Sequence, residues 1–145
     1  MHRIRPWLAT GKYKETQDRD ALQRDGITAM LQLHRPVEQP GIPTLFIEIT
    51  EGYNLPPYAL EKALAFVDKH RDGHVLIACG VGISRSSSFA VAALKHVEGL
   101  SLVDAFSAVR KANPQAMPDE RHWQDLCDYF GEQIDFWEMW KKIEL

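Results

Sequence analysis

The chain has 145 residues, which is enough for one domain with a single hydrophobic core. Its 17 basic and 20 acidic residues give a net charge of −3, which does not suit a protein that binds nucleic acid or a membrane surface. No apolar run is long enough for a membrane span or a signal peptide. We therefore expect no nucleic-acid or membrane partner and a location in the reducing cytoplasm.

The two cysteines, Cys79 and Cys127, lie far apart in the chain, and neither belongs to a Cys/His cluster with zinc-ligand spacing. Both are therefore predicted to be free thiols. The scattered histidines also lack the spacing of metal ligands, so we expect neither a metal ion nor another cofactor.

The first half of the chain alternates short apolar runs with turns and helical patterns. The predicted strands are a short edge strand at 7–9 that ends by Gly11, then 27–33, 45–49 and 75–78. Thr16 or Asp18 can cap a short helix that stops at Gly26. The strand at 75–78 is apolar throughout, as expected for a central parallel strand that is covered on both faces.

Helical patterns dominate the second half. The predicted helices begin at Pro57, after Arg85 with an end at Gly99, at Ser101 with an end before Pro114, and near Asp119. In the last of these, one apolar stripe runs from Trp123 to Trp137, with Gly131 as a possible bend. We expect both tryptophans to lie in the core.

This order predicts an α/β fold with a central, mainly parallel, twisted sheet of four to five strands and helices on both sides. Residues 1–145 are predicted to form a single domain, in which 131–145 are a C-terminal helical extension.

The loop after the central strand carries the chemistry. It reads Cys79-Gly80-Val81-Gly82-Ile83-Ser84-Arg85-Ser86. Backbone N–H groups of such a loop can converge on one point, and the following helix N-terminus adds partial positive charge. This combination predicts a phosphate site formed by the backbone of 80–84 together with Arg85.

A cysteine at the base of this loop is placed to act as a nucleophile. The surrounding N–H groups and Arg85 favour the thiolate form of Cys79, which can attack a bound phosphoryl group. The planar fork of Arg85 can hold two phosphoryl oxygens, and the hydroxyl of Ser86 can stabilise the thiolate when it leaves again.

The loop resembles the signature Cys-x-x-Gly-x-x-Arg-Ser/Thr of the cysteine-dependent protein tyrosine phosphatases. Size and layout resemble the small dual-specificity branch of that superfamily, from about Trp7 to Phe130. The resemblance implies hydrolysis of phosphotyrosine, and often of phosphoserine or phosphothreonine, in phosphorylated protein or peptide substrates. It also implies a cysteinyl-phosphate intermediate and no metal. We expect the protein to be a monomer.

The sequence departs from the family pattern at three positions. The family supplies an Asp as general acid from the loop after the preceding strand. In that loop this chain has only one carboxylate, Glu51. Asp68 and Asp72 lie too far along the chain to be first choices. Ala78 replaces the usual His before the nucleophile, which predicts a looser loop or a less stabilised thiolate. Asp119 stands where relatives often have an Asn that places the hydrolytic water, and it can instead be a helix N-cap.

Two alternatives remain open at this point. Ala78 and the missing Asp suit a phosphate-binding module, a weakly active or inactive pseudophosphatase that recognises phosphorylated partners. Gly80 and Gly82 after a strand also resemble part of a dinucleotide fingerprint, but Arg85 occupies the third glycine position and no acidic strand end follows.

Overall fold

The computed structural model describes residues 1–144. Within this range the chain forms five strands and seven helices. The strands are β1 (His2–Arg5), β2 (Leu8–Lys12), β3 (Ala29–Gln32), β4 (Thr44–Phe46) and β5 (Val75–Cys79). The helices are α1 (Tyr13–Thr16), α2 (Arg19–Arg24), α3 (Pro57–His70), α4 (Arg85–Glu98), α5 (Leu102–Ala112), α6 (Glu120–Phe130) and α7 (Phe136–Glu144).

The strands form one sheet in the order β1-β2-β5-β3-β4. Only β1 and β2 are antiparallel to each other, and all other neighbours are parallel. The mainly parallel α/β sheet predicted from the sequence is thereby confirmed. Strand β5 lies at its centre, with Cys79 paired to Lys12 on β2 and Ala78 paired to Gln32 on β3.

Side chains of β5 alternate between the two faces of the sheet, because successive residues of a strand point in opposite directions. Val75, Ile77 and Cys79 join the larger core, which also contains residues of α3, α4, α5 and α6. Leu76 and Ala78 join a smaller core with Leu22 of α2. The sheet is therefore covered by helices on both faces, and Cys79 faces the side of α4.

Helix boundaries follow the signals in the sequence. Asp18 and Ser101 cap α2 and α5, each accepting a hydrogen bond from a backbone N–H of the first turn. Gly99 ends α4 with φ +71°, in the left-handed region that favours glycine. None of the helices in residues 1–144 combines the length and the apolar character required to cross a membrane.

Two predictions about the strands need correction. The strand expected at the edge near Trp7 is interior, because β1 pairs with its outer side, and the strand expected to reach Ile49 ends at Phe46. Beyond Phe46 the backbone still follows β3: the N–H groups of Ile47 and Ile49 donate to the carbonyls of Gln32 and Leu33.

The C-terminal stripe is divided between two helices. Gly131, with φ +72°, ends α6, and α7 begins five residues later. Trp123 is fully buried as predicted, but the new direction of α7 leaves Trp137 61% exposed, so its predicted core position is wrong. The buried side of α7 is formed instead by Phe136 and Met139.

Candidate active site

The loop between β5 and α4 curls around the thiol of Cys79. Sγ accepts a hydrogen bond from the N–H of Gly82 at 3.2 Å and lies 3.3 Å from Oγ of Ser86. Cys79 and Ser86 are both buried, with 1% and 0% of their surface exposed. The structure therefore brings the predicted nucleophile and the predicted hydroxyl partner into direct contact at the base of the loop.

Carbonyl groups of the loop are bonded outward to the surrounding scaffold. The carbonyl of Gly80 accepts from the N–H of Tyr13, that of Gly82 from the side-chain amide of Asn113, and that of Ile83 from the N–H of Met117. In a trans peptide the following N–H points opposite to the carbonyl. The N–H groups of Val81, Ile83 and Ser84 are consequently directed away from the scaffold, as an anion-binding loop requires.

Gly82 is the position where this loop needs glycine. Its φ is +75°, and a Cβ added there would lie 3.0 Å from the backbone of Gly11 on the neighbouring strand. Both the left-handed backbone and the close approach to β2 exclude a larger side chain. The packing of the loop against β2 therefore explains why the sequence has a glycine at position 82.

Arg85 begins α4 and lies largely buried above the loop, with 14% of its side chain exposed. One terminal nitrogen donates to the carbonyl of Ile49 at 2.9 Å, which fixes the direction of the guanidinium plane. Its Nε is buried and makes no hydrogen bond within the described residues. A donor of this kind, held near the loop N–H groups, can donate a hydrogen bond to an oxygen of a bound phosphoryl group.

Glu51 lies over the same loop. Its Oε1 forms an ion pair with Nε of Arg85 at 3.5 Å, and its Oε2 accepts from the hydroxyl of Ser84 at 3.3 Å. Asp68, the alternative carboxylate on α3, is instead paired with His96 at 2.8 Å. The structure therefore brings together Glu51, Arg85 and the loop of residues 80–84, which is called the phosphate loop below. The carboxylate of Asp68 instead contacts His96.

Helix α6 holds the segment that carries Glu51. The side chains of Asp119 and Asp125 accept from the N–H groups of Gly52 and Leu55 at 2.8 and 2.6 Å. Arg121 donates to Asn54, and Nε2 of the fully buried His122 lies 2.9 Å from the carbonyl of Tyr53.

This set of contacts could not be predicted from the sequence, because α6 is far from residue 51 along the chain. His122, which in the sequence is only one of several scattered histidines, is buried and contacts the segment that carries Glu51.

Residues 10–132 match the family described as the dual specificity phosphatase catalytic domain. The chain belongs to that family. Dual specificity protein phosphatase 22 of Xenopus tropicalis is 30% identical over 150 residues, covering 98% of this chain and 70% of the relative. Dual specificity protein phosphatase 8 of Mus musculus is 29% identical over 137 residues, covering 89% of this chain but 20% of the relative. The chain thus spans about a fifth of that longer relative.

Solved structures of the family have the same architecture. Human DUSP28 superposes with a TM-score of 0.83 at 25% identity and with 100% coverage of both chains. A mouse putative dual specificity phosphatase, crystallised with zinc tungstate, superposes with a TM-score of 0.82 at 30% identity, covering 88% of this chain and 84% of that one. These similarities favour a dual-specificity phosphatase over the inactive phosphate-binding module.

The second thiol of the phosphatase domain has different surroundings. Cys127 is fully buried on α6, and its Sγ lies 3.5 Å from the carbonyl of Ile134. Burial raises the pKa of the Cys127 thiol, and Glu132 and Asp128 act in the same direction. The thiol therefore stays protonated at neutral pH and is not placed to act as a nucleophile.

Asp119 has two partners in the phosphatase domain. One carboxylate oxygen caps α6 through the N–H of Arg121, and the other accepts from Gly52. Burial opposes ionisation of Asp119, but these backbone N–H groups outweigh it and lower the pKa. Because the folded-state pKa is depressed, the stabilisation is complete above the ordinary value of about 3.9 and is lost only as the pH falls below it.

Replacing Asp119 with serine should separate these two contacts. Serine can still cap α6, but its hydroxyl is too short to reach Gly52 as well. If Glu51 is the general acid that the resemblance implies, we expect about a tenfold fall in kcat for phenyl phosphate, because displacement of its loop would impair protonation of a poor leaving group. For 2,4-dinitrophenyl phosphate, whose leaving group needs little protonation, the fall should be below about threefold.

Thermal unfolding supplies the control for Asp119→Ser. Asp119→Ala removes both contacts and should lower Tm, whereas Asp119→Ser should stay closer to the wild type. Equal losses for the two substrates would show that Asp119 has only a structural role.

Proposed function

We propose that this domain hydrolyses phosphotyrosine, and also phosphoserine and phosphothreonine, in protein substrates through a phosphate ester of Cys79. The observation that carries the proposal is the position of the Cys79 thiol at the base of the 80–84 loop, where Sγ accepts from the N–H of Gly82 and contacts the hydroxyl of Ser86, with Arg85 opening the helix that follows. Family membership supports the same reaction.

In the first step, the thiolate of Cys79 attacks phosphorus and the bond from phosphorus to the substrate oxygen breaks. Glu51 supplies the proton that the departing oxygen needs. The phosphoryl oxygens stay on the loop N–H groups and on Arg85, whose Nε exchanges its ion pair with Glu51 for the phosphoryl group.

In the second step, water attacks phosphorus while Glu51 takes its proton, and the phosphorus–sulfur bond breaks. Ser86 Oγ lies 3.3 Å from Sγ, and its hydroxyl keeps its proton while donating a hydrogen bond to the departing thiolate. Inorganic phosphate then leaves, and the thiolate is ready for another cycle. Neither step calls for a metal ion.

The proposal is tested by hydrolysis of p-nitrophenyl phosphate in the presence of EDTA, followed by rapid acid quenching with a radiolabelled phosphotyrosine peptide. Sustained turnover is expected, together with a labelled protein whose phosphate is stable to acid and lost on iodine treatment, as a thiophosphate should be. A single burst of one product per site with no further turnover would instead favour the phosphate-binding module.

Glu51→Gln tests the proposed acid. Glutamine preserves the size of the side chain but cannot donate an acidic proton, so we expect kcat to fall by about a hundredfold. The acid must be protonated for the first step, so wild-type activity should decline toward high pH. That alkaline decline should disappear from the pH profile of Glu51→Gln.

A control for Glu51→Gln is Glu48→Gln, which removes a carboxylate three residues away on the same segment. It should leave the pH profile unchanged. If Glu51→Gln also kept full activity and the alkaline decline, the acid would have to come from another residue.

We further propose that the domain works in a reducing compartment such as the cytoplasm. Both of its cysteines are free, and attack on phosphorus requires Cys79 to be reduced. A requirement for a thiol reductant in the hydrolysis assay is the expected outcome.

A further inference from the structure

A groove of about 740 Å³ opens beside the phosphate loop and runs toward α7. Its lining includes Ile83, Arg110, Pro114, Met117, Trp137 and Lys141. Ile83 belongs to the phosphate loop, and its carbonyl accepts from the N–H of Met117 at 3.1 Å. A chain whose phosphorylated residue occupies the loop would therefore reach the groove within a few residues, at about 3.3–3.6 Å per extended residue.

Large apolar side chains at the groove remain open to water. Met117 is 49% exposed and Trp137 is 61% exposed. The ring of Trp137 stacks on that of Phe136, with centroids 5.3 Å apart and an interplanar angle of 18°, and Phe136 itself is buried. An aromatic ring held in this way can bind an apolar side chain with little loss of conformational entropy.

The charged groups of the groove are both cationic. Arg110 and Lys141 line it, and none of the lining residues in the described part of the chain carries a carboxylate, although the whole chain has a net charge of −3. Arg110 is held in place by a hydrogen bond to the carbonyl of Ala116 and by the ring of Trp140, 4.5 Å from its guanidinium carbon. The groove therefore complements a ligand that combines an apolar side chain with negative charge.

One wall of the groove lies outside the part of the chain that matches the family. The match ends at residue 132, whereas Trp137 and Lys141 belong to α7. The other side comes from the phosphate loop, the end of α5 and the segment that follows it, all inside the matched region. Selection by this groove would consequently depend on the C-terminal helix as well as on the matched domain.

We propose that this groove binds the part of the phosphoprotein substrate that flanks the phosphorylated residue. A large apolar side chain of the substrate packs against Trp137 and Met117, and an acidic residue beside it faces Arg110 and Lys141. This inference rests on the proposed phosphatase function, which brings a protein chain to the loop. The concave shape suits a single extended segment better than it suits the flat surface of a bilayer.

Phosphotyrosine peptides that vary one flanking position at a time test the inference. Each of five positions on either side would carry Ala, Phe, Asp or Lys, and kcat/KM would be measured for each peptide. In the wild type, we expect Phe to be preferred over Ala by about tenfold at one position, and Asp over Lys at an adjacent one. Trp137→Ala should abolish the preference for Phe and change hydrolysis of p-nitrophenyl phosphate less than about twofold.

Two further variants sharpen this test. Tyr58→Ala removes an aromatic ring that is similarly exposed, at 58%, but lies on α3 outside the groove, so its peptide preferences should equal those of the wild type. Lys141→Glu should reverse the charge preference, with Lys now favoured over Asp at the same peptide position. Loss of general structural integrity would not produce such a reversal.

The outcomes distinguish failure of the groove proposal from failure of the proposed phosphatase function. Wild-type turnover without any flanking preference, or equal losses of peptide and p-nitrophenyl phosphate hydrolysis in Trp137→Ala, would contradict the groove proposal alone. If no turnover were found, binding of the same phosphopeptides to Cys79→Ser would still test the groove by the Phe and Asp preferences. Binding of anionic lipid vesicles, or dimer formation, that is lost in Trp137→Ala without any peptide preference would also overturn it.

Discussion

Replacing Cys79 with serine should reduce hydrolysis of p-nitrophenyl phosphate by about ten thousandfold or more. Serine has the same number of heavy atoms as cysteine, but its hydroxyl is scarcely ionised at neutral pH and is a much weaker nucleophile than a thiolate. The N–H of Gly82 that bonds Sγ at 3.2 Å would stabilise no equivalent anion. Binding of phosphopeptides should persist, because Arg85 and the loop N–H groups remain.

Cys127→Ser is the matched control for this experiment. This side chain is also buried, but it lies beside the carbonyl of Ile134 and not in the phosphate loop. We expect turnover close to that of the wild type and at most a loss of about 1 kcal/mol in the free energy of unfolding. Retention of activity in Cys79→Ser, or its loss in Cys127→Ser, would overturn the proposed cycle.

Replacing Arg85 with lysine should lower kcat/KM for the same substrate by about a thousandfold. Lysine keeps the positive charge but lacks the planar fork that holds two phosphoryl oxygens. It also lacks the terminal nitrogen that donates to the carbonyl of Ile49 and thereby orients the group. Since Arg85 acts on both bound phosphate and the transition state, we expect weaker inhibition by inorganic phosphate together with a lower kcat.

Arg5→Lys is the corresponding control. Arg5 also forms a two-point contact, with Glu98, but at a partly exposed position on β1. Its replacement should change neither kcat nor inhibition by phosphate. The Arg5–Glu98 ion pair does not contact the phosphate loop, and surface ion pairs contribute little to stability. Equal effects of the two substitutions would mean that Arg85 has no specific role toward phosphate.

The phosphate loop could be predicted from the sequence because its parts are consecutive in the chain. An apolar strand, a cysteine, two glycines and an arginine that opens a helix specify a local conformation with few alternatives. Gly82 is an example. Its position three residues after Cys79 is visible in the sequence, and its φ of +75° and close approach to β2 explain why that position needs glycine.

The role of Glu51 as general acid was predicted from less direct evidence. Its distance along the chain from Cys79 suggested that it lies in the right loop, but the sequence could not show that its carboxylate would meet Arg85 and Ser84. That meeting depends on the parallel pairing of β5 with β3 and on the backbone of Ile47 and Ile49, which follows β3 past the end of β4.

The sequence by itself determined the order of β2 to β5 and of α2 to α6, the phosphate loop and its resemblance to a phosphatase signature, because these depend on periodicity and on neighbouring residues. Only the tertiary structure decided the contacts of α6 with the Glu51 loop and the exposure of Trp137, since both depend on how helices turn after Asn113 and Gly131. Hydrogen bonds between residues nearly seventy positions apart leave no periodic trace in a single sequence. The groove beside Ile83 exists for the same reason, because the fold brings α7 back to the phosphate loop.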